Sequence, residues 1–199
     1  MLNHPLQDAL GGINIYLIGM MGSGKTTIGQ QLATQLGYRF IDTDALITQI
    51  AGQSIADLFA LEGEAAFRQL ETQVLAELSA YACQKLAIAT GGGIVLRRQN
   101  WSYLHHGIVV WLDVPVSVLC DRLNQDRHRP LLQGVDPVAT LTHLLEQRQS
   151  RYAQADIRLA VTLGETPVQV VDRLLHTLPK ILKSQSDRPD LSQIENALN

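Results

Sequence analysis

One stretch restricts this chain more than any other: the apolar run INIYLIG (Ile13–Gly19), which passes directly into Met20-Met21-Gly22-Ser23-Gly24-Lys25-Thr26. The run is short and rich in β-branched residues, which fits a strand buried on both faces. From Gly19 the sequence matches G-x-x-x-x-G-K-[ST], and Lys25–Leu36 reads as a helix closed by Gly37 in the C′ position. A strand, a glycine turn and a helix in that order make a phosphate cradle. The glycines let backbone N–H groups approach phosphate oxygens with no Cβ in the way, and the helix N-terminus adds partial positive charge. The cradle spans Gly22, Ser23, Gly24, Lys25, Thr26 and Thr27, with Lys25 meeting β- and γ-phosphate oxygens and Thr26 offering its hydroxyl to Mg²⁺. The competing reading is a glycine turn beside a surface lysine; the agreement of strand, turn and helix argues against it.

The rest of the chain repeats the alternation. Strands are expected at Tyr38–Asp42, Leu86–Thr90, Val109–Leu112 and Ile157–Thr162. Helices are expected at Ala45–Ala51, from Ser54, over Glu64–Tyr81, Val116–Leu123 and Val138–Tyr152, and from Pro167 to about Leu178. This predicts an α/β fold with a five-stranded parallel sheet covered by helices on both faces. A loose arm (1–12) precedes the main domain (13–180), and a polar, disordered tail (181–199) follows it.

Composition narrows the function classes. The 199 residues are 46% hydrophobic and 18% charged, an ordinary globular balance, and the formal net charge of −3 argues against bulk nucleic-acid binding. The N-terminus lacks the basic and apolar regions of a signal peptide, and the longest nearly apolar stretch, Gly107–Cys120, is broken by Asp113. Cys83 and Cys120 fit two buried thiols more simply than a disulfide, although sequence alone leaves both open. A cytoplasmic protein without a membrane partner is expected.

The cradle says nucleoside triphosphate and no more; other segments must say what accepts the phosphoryl group. Asp42-Thr43-Asp44 follows the second strand, where open α/β sheets bind ligands. Asp42 is within reach of Mg²⁺ through water, and Asp44 points toward an acceptor hydroxyl. The alternative is that both merely start a helix, where acidic residues are favoured. Gly91-Gly92-Gly93 ends the third strand and offers bare amides to a ligand, or is simply a flexible turn. Arg68, at i+4 from Glu64, and Arg148, close to Arg151 and Tyr152, read singly as surface arginines.

Taken together, the set resembles shikimate kinase. The matching pieces are GMMGSGKTT (19–27), FIDTDALI (40–47), SIADLFALEGEAAFR (54–68), ATGGGIVLR (89–97), RHRPLL (127–132) and QRQSRY (147–152), in the family's order over about Ile13–Leu178. The resemblance implies a three-layer P-loop kinase fold with a substrate-binding helical segment (about 43–81) and a lid (about 124–136). It implies a monomer that transfers the γ-phosphoryl of ATP, with Mg²⁺, to the 3-hydroxyl of shikimate on the route to chorismate and the aromatic amino acids. It assigns Arg68 and Arg148 to the shikimate carboxylate, Asp44 to the hydroxyls as candidate base, and the Gly91–Gly93 amides to the substrate. Arg129 falls in the lid near the transferred phosphate, Arg122 packs on adenine, and Pro167 borders it. A gluconate kinase of the same fold has no need for both Arg68 and Arg148. A non-catalytic relative usually loses the lysine, aspartates or arginines kept here.

Overall fold

The short strand β1 (Ile15–Ile18) has all four side chains buried regardless of which way they point, so both faces of the sheet are covered at its centre. In this computed structural model, which describes residues 5–80, 84–124 and 136–186, β1 lies between β3 (Leu86–Ala89) and β4 (Ile108–Asp113). The edges are β2 (Arg39–Asp42), paired with β3, and β5 (Ile157–Ala160), paired with β4. The order is β2-β3-β1-β4-β5 and every pairing is parallel, as the alternation of elements predicts. β5 exposes every second residue, as a half-covered edge should.

Nine helices fill the connections among the described residues. They are α1 (Pro5–Leu10), α2 (Lys25–Leu36), α3 (Thr43–Ala51), α4 (Ile55–Leu61), α5 (Gly63–Ser79), α6 (Arg98–Leu104), α7 (Val116–Asn124), α8 (Pro137–Tyr152) and α9 (Pro167–Ser186). A 3₁₀ turn, Ile94–Leu96, joins β3 to α6. Helices α1, α2 and α9 pack together, while α5, α6 and α8 gather around the 3₁₀ turn. Gly37 stops α2 at φ 64°, where its N–H reaches the Ala33 and Thr34 carbonyls. The Ser54 hydroxyl accepts from the Asp57 N–H to start α4. Helices α3–α5 enclose a small second core of Ile47, Leu58, Phe67 and Val74.

Three segments differ from the sequence reading. The supposed loose arm holds α1, which buries Leu6 and Leu10 in the main core. α6 goes unanticipated because only Trp101 and Leu104 on it carry an apolar signal. α9 runs past the expected stop near Leu178, through Pro179, although an interior proline removes one backbone hydrogen bond. The fully buried Leu178 and the partly buried Ile181 and Leu182 pack on the main core, and that burial offsets the proline. The lid segment lies almost wholly in residues 125–135, outside the described residues.

Candidate active site

The turn after β1 needs its glycines for identifiable reasons. Gly19 sits at φ 141°, and a Cβ there would lie 2.7 Å from the Leu112 carbonyl oxygen of β4. Gly22 and Gly24 take φ of 77° and 90°, backbone that side chains rarely adopt. Gly24 caps α2 with no side-chain hydrogen bond, which leaves that helix end to be served by a ligand. Lys25 Nζ curls back over the turn, donating to the carbonyls of Gly19 (2.9 Å) and Met20 (2.8 Å) and to Ser23 Oγ (3.4 Å). Ser23 is fully buried, its N–H donating to the Met20 carbonyl at 3.2 Å.

Asp42 starts a helix, as one of its two sequence readings has it, and turns its other oxygen to the cradle. Its Oδ1 accepts from the N–H groups of Asp44 (3.0 Å) and Ala45 (3.4 Å), capping α3. Its Oδ2 accepts from Thr26 Oγ1 at 2.7 Å. A cleft of about 270 Å³ is lined by Lys25, Thr26 and Thr27 on one side and by Asp42, Asp44 and Gly92 on the other. A second cleft of about 400 Å³ adjoins it through Gly22, Gly24 and Thr27 and is lined further by Arg122 and Pro167. Arg122 Nη1 donates to the Gly22 carbonyl at 3.2 Å, so that guanidinium is fixed at the rim of the cradle.

The acceptor side is tighter. The Gly91 N–H donates to the buried Thr43 hydroxyl at 3.2 Å, tying the triple-glycine turn to α3. A Cβ on Gly91 would lie 2.7 Å from Asp44 Oδ1 and 2.8 Å from Glu71 Oε1, and a Cβ on Gly93 would strike the Arg68 guanidinium. Arg68 Nη1 donates to Glu71 Oε2 at 2.8 Å, and its Nε to the exposed Glu64 at 3.3 Å. The Arg68 guanidinium also lies 5.0 Å from the ring centroid of Phe67. Arg148 is 9% exposed, and its Nη1 donates to the Gly92 carbonyl at 3.3 Å.

Lys25, Thr26, Asp42, Asp44 and Gly92 thus share one cleft, and Arg122 and Pro167 share the next. Arg68 and Arg148 flank the Gly91–Gly93 turn from α5 and α8. Arg129 lies outside the described residues. Glu71 has no place in the sequence reading, yet its side chain is fully buried against Gly91 and Arg68. Burial pushes its carboxyl above the ordinary range, with Arg68 pulling the other way. The available signal was its i+3 spacing from Arg68.

A family model described as "Shikimate kinase" matches residues 21–179. The chain is 62% identical over 178 residues to a shikimate kinase of Thermosynechococcus vestitus, covering 89% of this chain and 96% of that protein. It is 53% identical to one of Synechococcus elongatus, covering 92% of this chain and 95% of the relative. Among solved structures, a shikimate kinase from Acinetobacter baumannii in complex with shikimate is 35% identical with a TM-score of 0.77. That match covers 92% of this chain and all of the other.

Proposed function

The chain belongs to the shikimate kinase family, an ATP-dependent kinase that phosphorylates the 3-hydroxyl of shikimate to give shikimate 3-phosphate and ADP, and from that premise we propose which of its side chains perform each part of the transfer. The observation that carries the assignment is the single cleft lined by Lys25 and Thr26 on one wall and by Asp44 and Gly92 on the other. Phosphoryl transfer asks for positioning and charge neutralisation more than covalent help. Lys25 exchanges its two carbonyl partners for phosphate oxygens. The cradle amides at Gly22, Ser23, Gly24, Thr26 and Thr27 take the remaining phosphate charge. Arg122 and Pro167 border the adenine in the adjoining cleft.

Thr26 Oγ1 and Asp42 Oδ2, 2.7 Å apart, are hard oxygen donors of the kind Mg²⁺ takes. Bound there, Mg²⁺ would supply neutralisation of phosphate charge. Thr26 and Asp42 hold it, and Asp42 also keeps α3 in place so that Asp44 faces the cleft.

Asp44 orients the acceptor hydroxyl and takes its proton as the oxygen–phosphorus bond forms. Arg68 and Arg148 bind the substrate carboxylate, since planar guanidinium groups match a carboxylate with two parallel hydrogen bonds. Gly91 and Gly93 leave room for the Asp44, Glu71 and Arg68 side chains that a Cβ would crowd, and the backbone of the triple-glycine turn is offered to the substrate, with Gly92 lining the cleft. Arg129 is assigned by motif to the transferred phosphate. The protein acts as a cytoplasmic monomer. No helix among the described residues is long and apolar enough to cross a membrane.

A coupled ADP-release assay with Mg²⁺, ATP and either shikimate or gluconate tests the acceptor. Turnover with shikimate and background with gluconate is expected. Preference for gluconate overturns the roles given to Arg68 and Arg148.

A further inference from the structure

Tyr152 ends α8 beside the triple-glycine turn, and none of the roles above falls to it. The side chain is fully buried, its ring stacked on Trp111 of β4 at 5.7 Å between centroids and 20° between planes. Its hydroxyl donates to the Gly92 carbonyl at 2.7 Å, and the oxygen lies 3.7 Å from Met20 Sδ in the phosphate cradle. The same carbonyl accepts from Arg148 Nη1 at 3.3 Å. Residues 148 and 152 are one helical turn apart, so α8 sends two donors to one oxygen and uses both of its lone pairs. Gly92 is backed on its other side by the cradle, where a Cβ would lie 3.3 Å from the Met21 nitrogen.

A ring that merely filled the core would need no hydroxyl, and an unpaired buried hydroxyl is costly. Here the hydroxyl is aimed at a turn that is in neither a helix nor a strand. Burial pushes the phenol up to about 12, so it remains a donor throughout the working range.

We propose that Tyr152 is a positioning residue for the acceptor site: by holding the Gly92 carbonyl, it sets the triple-glycine turn and the Arg148 guanidinium that shares that oxygen. This rests on the reading of Gly92 and Arg148 as acceptor-binding groups. Without the hydroxyl, Arg148 has a less firmly held anchor, and shikimate must order the guanidinium on binding. ATP binds to the cradle and is spared.

The test is steady-state kinetics of Tyr152→Phe, which keeps the ring on Trp111. One lost hydrogen bond corresponds to about a 3- to 10-fold rise in KM for shikimate. KM for ATP should stay within about twofold and unfolding should remain cooperative. Tyr16→Phe removes another buried phenol hydroxyl, in β1, and should move neither KM. In an Arg148→Ala background, Tyr152→Phe should add less than about twofold, because both act through one carbonyl. An unchanged shikimate KM in Tyr152→Phe, with Arg148→Ala still raising it, overturns the proposal alone. So does a parallel rise in both KM values, or loss of cooperative unfolding. If Arg148→Ala leaves shikimate KM unchanged, the acceptor reading of Arg148 fails and the proposal falls with it.

Discussion

Arg68→Ala should destabilise the substrate-free protein in a way that depends on pH. Arg68 has two carboxylate partners of very different worth. Glu64 is 63% exposed, and a pair of that kind contributes less than about 1 kcal/mol. Glu71 is 0% exposed, and removing one member of a buried pair costs about 3–5 kcal/mol because the other charge is left uncompensated. Arg68 is itself 14% exposed, so water reaches part of the guanidinium and the lower end, about 3 kcal/mol, applies. At roughly 2–4 °C per kcal/mol for a chain of this length, Tm falls by about 6–12 °C. The Glu71 carboxyl is already raised by burial, against the pull of Arg68, and without Arg68 it rises further. A carboxyl whose folded value exceeds its unfolded one favours the folded state at low pH, and that advantage disappears as pH rises to the folded value. The penalty should therefore be larger at the higher of two assay pH values than at the lower. Thermal unfolding of the parent, Arg68→Ala and Arg68→Ala/Glu71→Gln at both pH values measures it. The double variant should recover most of the loss at the higher pH. A penalty below about 1 kcal/mol, or one equal at both pH values and unrelieved by Glu71→Gln, refutes the reasoning.

Lys25→Ala should keep its circular dichroism and lose on the order of 10²–10³ in kcat, because charge developing on the phosphate goes unmet. Asp42→Asn keeps an oxygen to cap α3 but loses the carboxylate beside Thr26, so it should raise the Mg²⁺ requirement; Asp44→Asn should abolish turnover and leave ATP–Mg²⁺ binding intact. Coincident Mg²⁺ titration curves for the two variants refute that division. Arg148→Ala should weaken shikimate binding by about 30-fold to several thousandfold (about 2–5 kcal/mol), Arg148→Lys by less, and neither should change ATP binding in calorimetry. Gly91→Ala places a methyl within 2.8 Å of carboxylate oxygens of both Asp44 and Glu71, so turnover should fall sharply, with a stability loss of about 1–3 kcal/mol by thermal melt.

What could be read in advance divides along the range of the forces involved. α2 follows from local signals, the glycine turn at its start and Gly37 at φ 64° at its end, and its bounds agree residue for residue with the expectation. The far end of α9 and the whole of α1 depend on distant partners. Pro179 argues locally for a stop, and only the burial of Leu178 with Ile181 and Leu182 beyond it overrides the argument. The cradle and Asp42 lie in contiguous motifs and were legible. Glu71 was not, because it belongs to none of the motifs, and the part Tyr152 plays was not, because nothing in QRQSRY says what its hydroxyl meets. Each takes its meaning from the backbone of Gly91 or Gly92, supplied by β3 some distance along the chain.

The central place of β1 also sets when the protein can first work during its own synthesis. β1 pairs with residues 87–89 and 108–111 and with nothing nearer in sequence. Closing such long loops is slow, since entropy is lost before any contact rewards it. Gly19 takes its place against the Leu112 carbonyl, so the cradle has no back wall until β4 has left the ribosome. A nascent chain halted before residue 108 carries the whole nucleotide motif and still lacks the strand on which β1 and Gly19 rest. The order of strands therefore leaves the amino-terminal motif without its neighbours until β4 has been made.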